Sequence, residues 1–101
     1  MKIEEISGIG KYSAEIEKLE EGKERKVYRT EEGKVFLVEN KNTIEVRTDE
    51  KLGRLLEEKY ESVMRSRYFG RGGIEIVTTG QLEQGEVEDL VRLSYNLSKE
   101  K

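Results

Sequence analysis

Residues 62–74 hold Arg65, Arg67 and Arg71, the aromatic pair Tyr68 and Phe69, and three glycines, with no acidic residue among them. In a chain with 22 Asp and Glu among 101 residues, this is a sharp local contrast of charge. An arginine can fork onto phosphate oxygens, an aromatic ring can stack on an unpaired base, and glycines let backbone N–H groups approach an anion. The chemistry these residues suit is contact with DNA or another polyanion. The same residues also suit a plain β-hairpin, with the arginines as its solvated face and Tyr68 and Phe69 filling the core.

A second motif lies near the start, Ile6-Ser7-Gly8-Ile9-Gly10-Lys11-Tyr12-Ser13-Ala14-Glu15-Ile16. It looks like the turn and second helix of a helix-hairpin-helix element, whose Gly-hydrophobic-Gly turn offers N–H groups to phosphate at a helix start. Lys11 would add a cation there. The plainer reading makes Ser7 and Gly8 the cap of a first helix. Acidic residues gather at Glu15, Glu17, Glu20 and Glu21, and again at Glu83, Glu86, Glu88 and Asp89. Both clusters read as solvated faces, the second also favoured by the dipole at a helix start. Ser94 has no His or Lys beside it to activate it, so packing and a side-chain hydrogen bond account for it better than nucleophilic chemistry.

Histidine and cysteine are absent, which removes imidazole and thiolate chemistry and disulfides. A zinc site would have to be built from carboxylates alone, which structural sites rarely use. The expectation is a domain with no catalytic residues, no metal and no cofactor. Nineteen Lys and Arg against 22 Asp and Glu leave a net charge of −3, so a polyanion would have to meet a local patch rather than the field of the whole protein. The start lacks an apolar core of signal-peptide length, and no run approaches a membrane span of roughly 18 apolar residues. A cytoplasmic protein is expected. Abundant Glu and Lys without Cys follow the composition of hyperthermophile proteins.

The elements that must position these residues follow from periodicity. Ile9, Tyr12, Ile16 and Leu19 recur at spacings of three, four and three, predicting a helix over residues 9–20 that Gly22 ends. Three β-like runs follow, at 26–30, 34–39 and 43–48, separated by Glu32-Gly33 and Asn40-Lys41-Asn42 as in an antiparallel meander. The middle run is apolar at four successive positions, as in a strand covered on both sides, whereas Ile44 and Val46 face in and Glu45 and Arg47 face out. A helix over 50–62 carries Leu52, Leu55, Leu56, Tyr60 and Val63, capped by Asp49 or Thr48, with Gly53 allowing close approach to the sheet. Strands at 63–69 and 74–78 flank a Gly70-Arg71-Gly72-Gly73 turn. A last helix from Glu86 carries Val87, Leu90, Val91, Ser94 and Leu97, and residues 98–101 fray. The order α-β-β-β-α-β-β-α gives one α+β domain, a two-layer sandwich with a five-stranded antiparallel sheet.

Asp49-Glu50-Lys51-Leu52, Leu55-Leu56-Glu57-Glu58-Lys59-Tyr60 and the helix Glu88-Asp89-Leu90-Val91-Arg92-Leu93-Ser94-Tyr95-Asn96-Leu97, with Gly33-Lys34-Val35-Phe36 upstream, resemble the MmcQ/YjbR family. That family is sometimes described as having a double-wing DNA-binding architecture. The resemblance covers residues 22–97 and implies the same α-β(3)-α-β(2)-α order, shared with the TfoX amino-terminal domain and type III secretion chaperones. Family members commonly carry His, Lys and Trp in the fourth and fifth strands, where this chain has Arg67-Tyr68-Phe69-Gly70-Arg71-Gly72-Gly73. The resemblance implies no enzyme activity. The expected function is a non-enzymatic binding domain for DNA or another polyanion, contacted through Arg65, Arg67, Tyr68, Phe69, Arg71 and Lys11. The rival is a protein-interaction or chaperone-type module, a homodimer through an open sheet edge or a helix face.

Overall fold

The computed structural model describes residues 3–99. After a short 3-10 turn at Ile3–Glu5, the chain forms β1 (Tyr12–Lys18), a tight turn at Glu20–Gly22, β2 (Glu24–Thr30), β3 (Val35–Glu39) and β4 (Thr43–Arg47). Then come α1 (Glu50–Lys59), β5 (Val63–Ser66), β6 (Gly70–Val77) and α2 (Gln84–Lys99). The strands make one antiparallel sheet in the order β1-β2-β3-β4-β6-β5. The fold is α+β as expected, but the sheet has six strands rather than five.

The extra strand is the segment expected to be the first helix. Its Ile9/Tyr12/Ile16/Leu19 stripe fits a helix, yet Tyr12, Ala14 and Ile16 also alternate at every second residue, and β2 supplies a partner. Cross-strand ion pairs then fix the ladder: Glu17 opposes Arg25 at 2.8 Å, and Glu15 meets Arg29 diagonally at 3.1 Å. Gly22 is not a helix stop but part of the hairpin turn, where Glu21 (φ 62°) and Gly22 (φ 74°) both take left-handed backbone. Without that helix, neither the helix-hairpin-helix reading nor the Ser7–Gly8 cap stands. Instead the segment lies against α2: Arg92 donates to the Ser7 carbonyl, and the Tyr95 hydroxyl donates to the Lys11 carbonyl at 3.1 Å.

Both helices cover one face of the sheet. Leu37, Val46 and Ile74 are paired neighbours across β3, β4 and β6, and with Ile44, Ile76 and Phe36 they form a core closed by Val87, Val91 and Tyr95 of α2 and Leu56 of α1. The four-residue apolar run of β3 is explained by a bulge. Tyr28 pairs with Leu37 but Arg29 with Val35, so Phe36 is the extra residue. Phe36 and Leu37 therefore join the helix-side core, while Val35 and Val38 belong to a second cluster with Val27. Phe36 packs edge-on to Tyr95 with ring centroids 4.9 Å apart.

Ser94 repairs the hydrogen bonding beside the bulge. Its hydroxyl donates to the Phe36 carbonyl and accepts from the Arg47 N–H at 2.7 Å, tying α2 to β3 and β4. Asp49 is the cap of α1, accepting from the Leu52 N–H at 2.8 Å. Gly53 sits where a Cβ would come within 2.8 Å of the Thr48 hydroxyl and 3.4 Å of Ile74, so glycine permits the close approach expected there. The helix ends at Lys59, and Val63 begins β5 instead of continuing the helical stripe. Ser98 does not fray: it is buried and donates to the Ser94 and Val35 carbonyls. Glu100 and Lys101 lie outside the described residues. Among the described residues, no helix is long and apolar enough to cross a membrane.

Candidate polyanion-binding site

The face of the sheet away from the helices carries Arg67, Tyr68 and Phe69 of the residues singled out for anion contact. Val27, Val38, Glu45 and Glu75 are successive neighbours across β2, β3, β4 and β6, so they share this face. Glu45 was expected to face solvent; it lies on the side expected, but it is 2% exposed and Glu75 is 3% exposed. Two adjacent carboxylates survive burial because donors satisfy them. Glu45 accepts from the Ser66 hydroxyl at 2.8 Å, the Tyr68 N–H at 2.9 Å and the Asn40 amide at 3.0 Å. Glu75 accepts from the Thr43 hydroxyl at 2.7 Å and from both arms of the Arg67 guanidinium, at 2.8 and 3.0 Å.

The cover over these carboxylates is the connection between β5 and β6. The turn expected at Gly70-Arg71-Gly72-Gly73 falls earlier, at 67–69, because β6 already begins at Gly70. Gly70 takes φ 61°, which starts the new strand sharply, and Phe69 donates its N–H to the Ser66 hydroxyl at 2.8 Å. Tyr68 and Phe69 turn back onto Val27, Val35 and Val38 and close a second, smaller core. Gly73 is required beneath them, since a Cβ there would lie 2.7 Å from Phe69 and 2.4 Å from the Val46 carbonyl. Two arginines lie over the rings, Arg25 at 5.0 Å from the Tyr68 centroid and Arg47 at 4.8 Å from that of Phe69.

These contacts set the charge states. Burial pushes the Glu45 carboxyl up, but the bonds from Asn40, Tyr68 and Ser66, with the charge of Arg67, outweigh it and hold the group below the usual carboxylate range. The bond to Glu75 and its charge raise Arg67 further above its already high value. Burial, then the Glu39 carboxylate that accepts its hydroxyl bond, push the Tyr28 phenol above its ordinary range. Each of the two carboxylates accepts three bonds shared over both of its oxygens, which holds it in place as an ionised acceptor.

The six residues expected to contact a polyanion are dispersed. Arg67 lines a broad groove of about 940 Å³ at the end of the sheet, between the β1–β2 and β3–β4 turns. Lys11, Arg65, Tyr68, Phe69 and Arg71 do not line it. Arg65 is exposed on edge strand β5 opposite Ile74, which places it with the helix-side residues, away from Arg67. Arg71 is exposed at the start of β6, and Lys11 is exposed just before β1. The cations that do join Arg67 at the groove are Lys23, Arg25, Lys26 and Lys41. Lys23, Arg25 and Lys26 lie close together in the chain around Glu24, whereas Lys41 and Arg67 are distant from them and from each other. The antiparallel sheet brings Lys41 and Arg67 to the other three.

No protein-family model, no curated protein and no solved structure matches this chain.

Proposed function

We propose that this chain is a non-catalytic binding domain of the cytoplasm that takes DNA or another polyanion at the groove beside Arg67. One observation carries the reading: in a chain of net charge −3, five cations, Lys23, Arg25, Lys26, Lys41 and Arg67, surround a single groove. Glu24 and Glu39 also line it, and Arg25 and Arg67 are each engaged by a carboxylate, Glu17 and Glu75. Phosphate contact therefore falls mainly to the lysines, with Arg67 shared between Glu75 and the ligand. Tyr68 and Phe69 pack on Val27, Val35 and Val38 beneath Arg25 and Arg47 rather than serving as stacking surfaces for bases. Binding of this kind reads backbone charge and carries little sequence preference. The resemblance to the MmcQ/YjbR family favours the same reading.

The test is fluorescence anisotropy with labelled duplex and single-stranded DNA at two salt concentrations. About three phosphate contacts predict a salt slope near −3, hence an affinity loss of roughly 40-fold between 50 and 200 mM salt. Lys23→Glu combined with Lys41→Glu abolishes binding, whereas Arg65→Ala combined with Arg71→Ala leaves it within about twofold. Binding indifferent to salt, or lost only with Arg65 and Arg71, refutes the groove. A chain that associates with itself and ignores DNA supports the protein-interaction reading instead.

A further inference from the structure

The two edges of the sheet are built differently. At one edge β5 has four residues and a register irregularity between Arg65 and Ser66, features that blunt an edge against further pairing. At the other, β1 has seven residues in an unbroken ladder with β2 and contains no proline or glycine. Ser13, Ala14, Glu15 and Ile16 are all exposed, Ile16 to 60%.

The hydrogen bonds that β1 leaves over can be assigned residue by residue. Leu19 donates its N–H to the Lys23 carbonyl at 2.7 Å, in register with the β1–β2 ladder, so Leu19 and Lys23 form a hydrogen-bonded pair. In an antiparallel ladder such pairs alternate, so Glu17, Glu15 and Ser13 also bond to β2. The Thr30 N–H donating to the Lys34 carbonyl at 2.8 Å agrees, because it turns the even-numbered residues of β2 towards β3. The N–H and C=O groups of Tyr12, Ala14 and Ile16 therefore point outward from the sheet.

We propose that a second copy of this chain pairs antiparallel along β1, about a two-fold axis through Ala14, so that one sheet runs through both protomers. This inference does not rest on the polyanion reading, although Ile16 of the seam also lines the groove beside Arg67. In this register Ala14 meets Ala14 and Tyr12 meets Ile16, so outward groups meet outward groups and each pair exchanges both of its N–H···O bonds. Tyr12 and Ile16 lie on the helix side, and the exposed Ile16 gains an aromatic cross-strand neighbour at both symmetric positions. On the opposite face Lys11 meets Glu17 and Ser13 meets Glu15. The charge complementarity selects this register. Moving the axis to Glu15 would set the two Glu15 carboxylates against each other and Tyr12 against Lys18.

Size-exclusion chromatography with light scattering, over a range of protein concentrations, tests the register. The unaltered chain is expected at twice the mass of one chain. Ala14→Pro removes an N–H that makes no bond to β2, so the variant keeps the far-ultraviolet circular dichroism of the fold and runs as a monomer. Lys11→Glu turns two symmetric opposite-charge pairs into like-charge pairs and weakens the dimer about tenfold. Adding Glu17→Lys and Arg25→Glu to Lys11→Glu restores it, the last change keeping an opposite-charge pair between positions 17 and 25 of the ladder. If Ala14→Pro fails to fold, the charge reversal and its rescue decide. A monomer at every concentration, or a dimer that none of these changes affects, overturns the proposal.

Discussion

The two faces of the sheet solve the same problem by different means. On the helix side, Phe36, Leu37, Ile44, Val46, Ile74 and Ile76 are almost wholly apolar and are buried by α1 and α2, so stability there scales with apolar area removed from water. On the other side a turn of three residues between β5 and β6 does the covering. It buries three valines under two rings, but it also encloses Glu45 and Glu75, which must be kept bonded. The buried polar groups of the first face include neutral hydroxyls such as those of Ser94 and Ser98. The second face depends on its polar contacts more heavily, since a buried carboxylate without donors is strongly unfavourable.

This contrast can be broken most severely from the helix side. Phe36→Ala removes a fully buried ring at the bulge and should cost about 3–5 kcal/mol in denaturant unfolding. Phe69→Ala removes a half-buried ring from the smaller core and should cost about 1–3 kcal/mol, with the helix-side core left intact. Equal losses would mean that the two faces are not energetically distinct.

The polar character of the second face is sharpened by Glu45→Gln. The substitution keeps the shape but replaces an acceptor by an amide donor facing Asn40, Ser66 or Tyr68, and should cost about 1–3 kcal/mol at pH 7. Its pH dependence has a definite sign. The folded state holds the Glu45 carboxyl below its unfolded value of about 4.3, so its stabilisation is complete above that pH and is lost as pH falls through the lower folded value. The difference between the original chain and Glu45→Gln should therefore narrow on acidification below about pH 4.3. Urea titrations at a series of pH values measure it, and a gap that stays constant to low pH would show that the Glu45 charge is not what the hairpin uses.

How far the sequence foretold these faces differs between them. The meander of β2 to β4, the Asp49 cap, the close approach at Gly53 and the bonding role of Ser94 were all legible, because local patterns and tertiary packing favour the same answer there. Residues 12–18 were misread because one apolar set fits periods of both 3.6 and 2, and the choice is made by Arg25 and Arg29 on another strand. Glu45 was placed on the correct side and assigned to solvent, since nothing near it in sequence announces that 67–69 folds back across it. The acid-free arginine segment was conspicuous. Acids from β4 and β6 meet it in space: Glu75 pairs with Arg67 and Glu45 accepts the Tyr68 N–H, so the centre of the segment is closed down while Arg65 and Arg71 stay exposed.

That last point is most directly tested by native-state amide hydrogen exchange at Tyr68 and Phe69. If the turn is a closed cover, the Tyr68 N–H bonded to Glu45 and the Phe69 N–H bonded to Ser66 exchange slowly, and Glu45→Gln lowers protection at both. Exchange of these two amides at the rate of an unstructured loop, unaffected by Glu45→Gln, would contradict the closed face and restore the segment as an open basic arm.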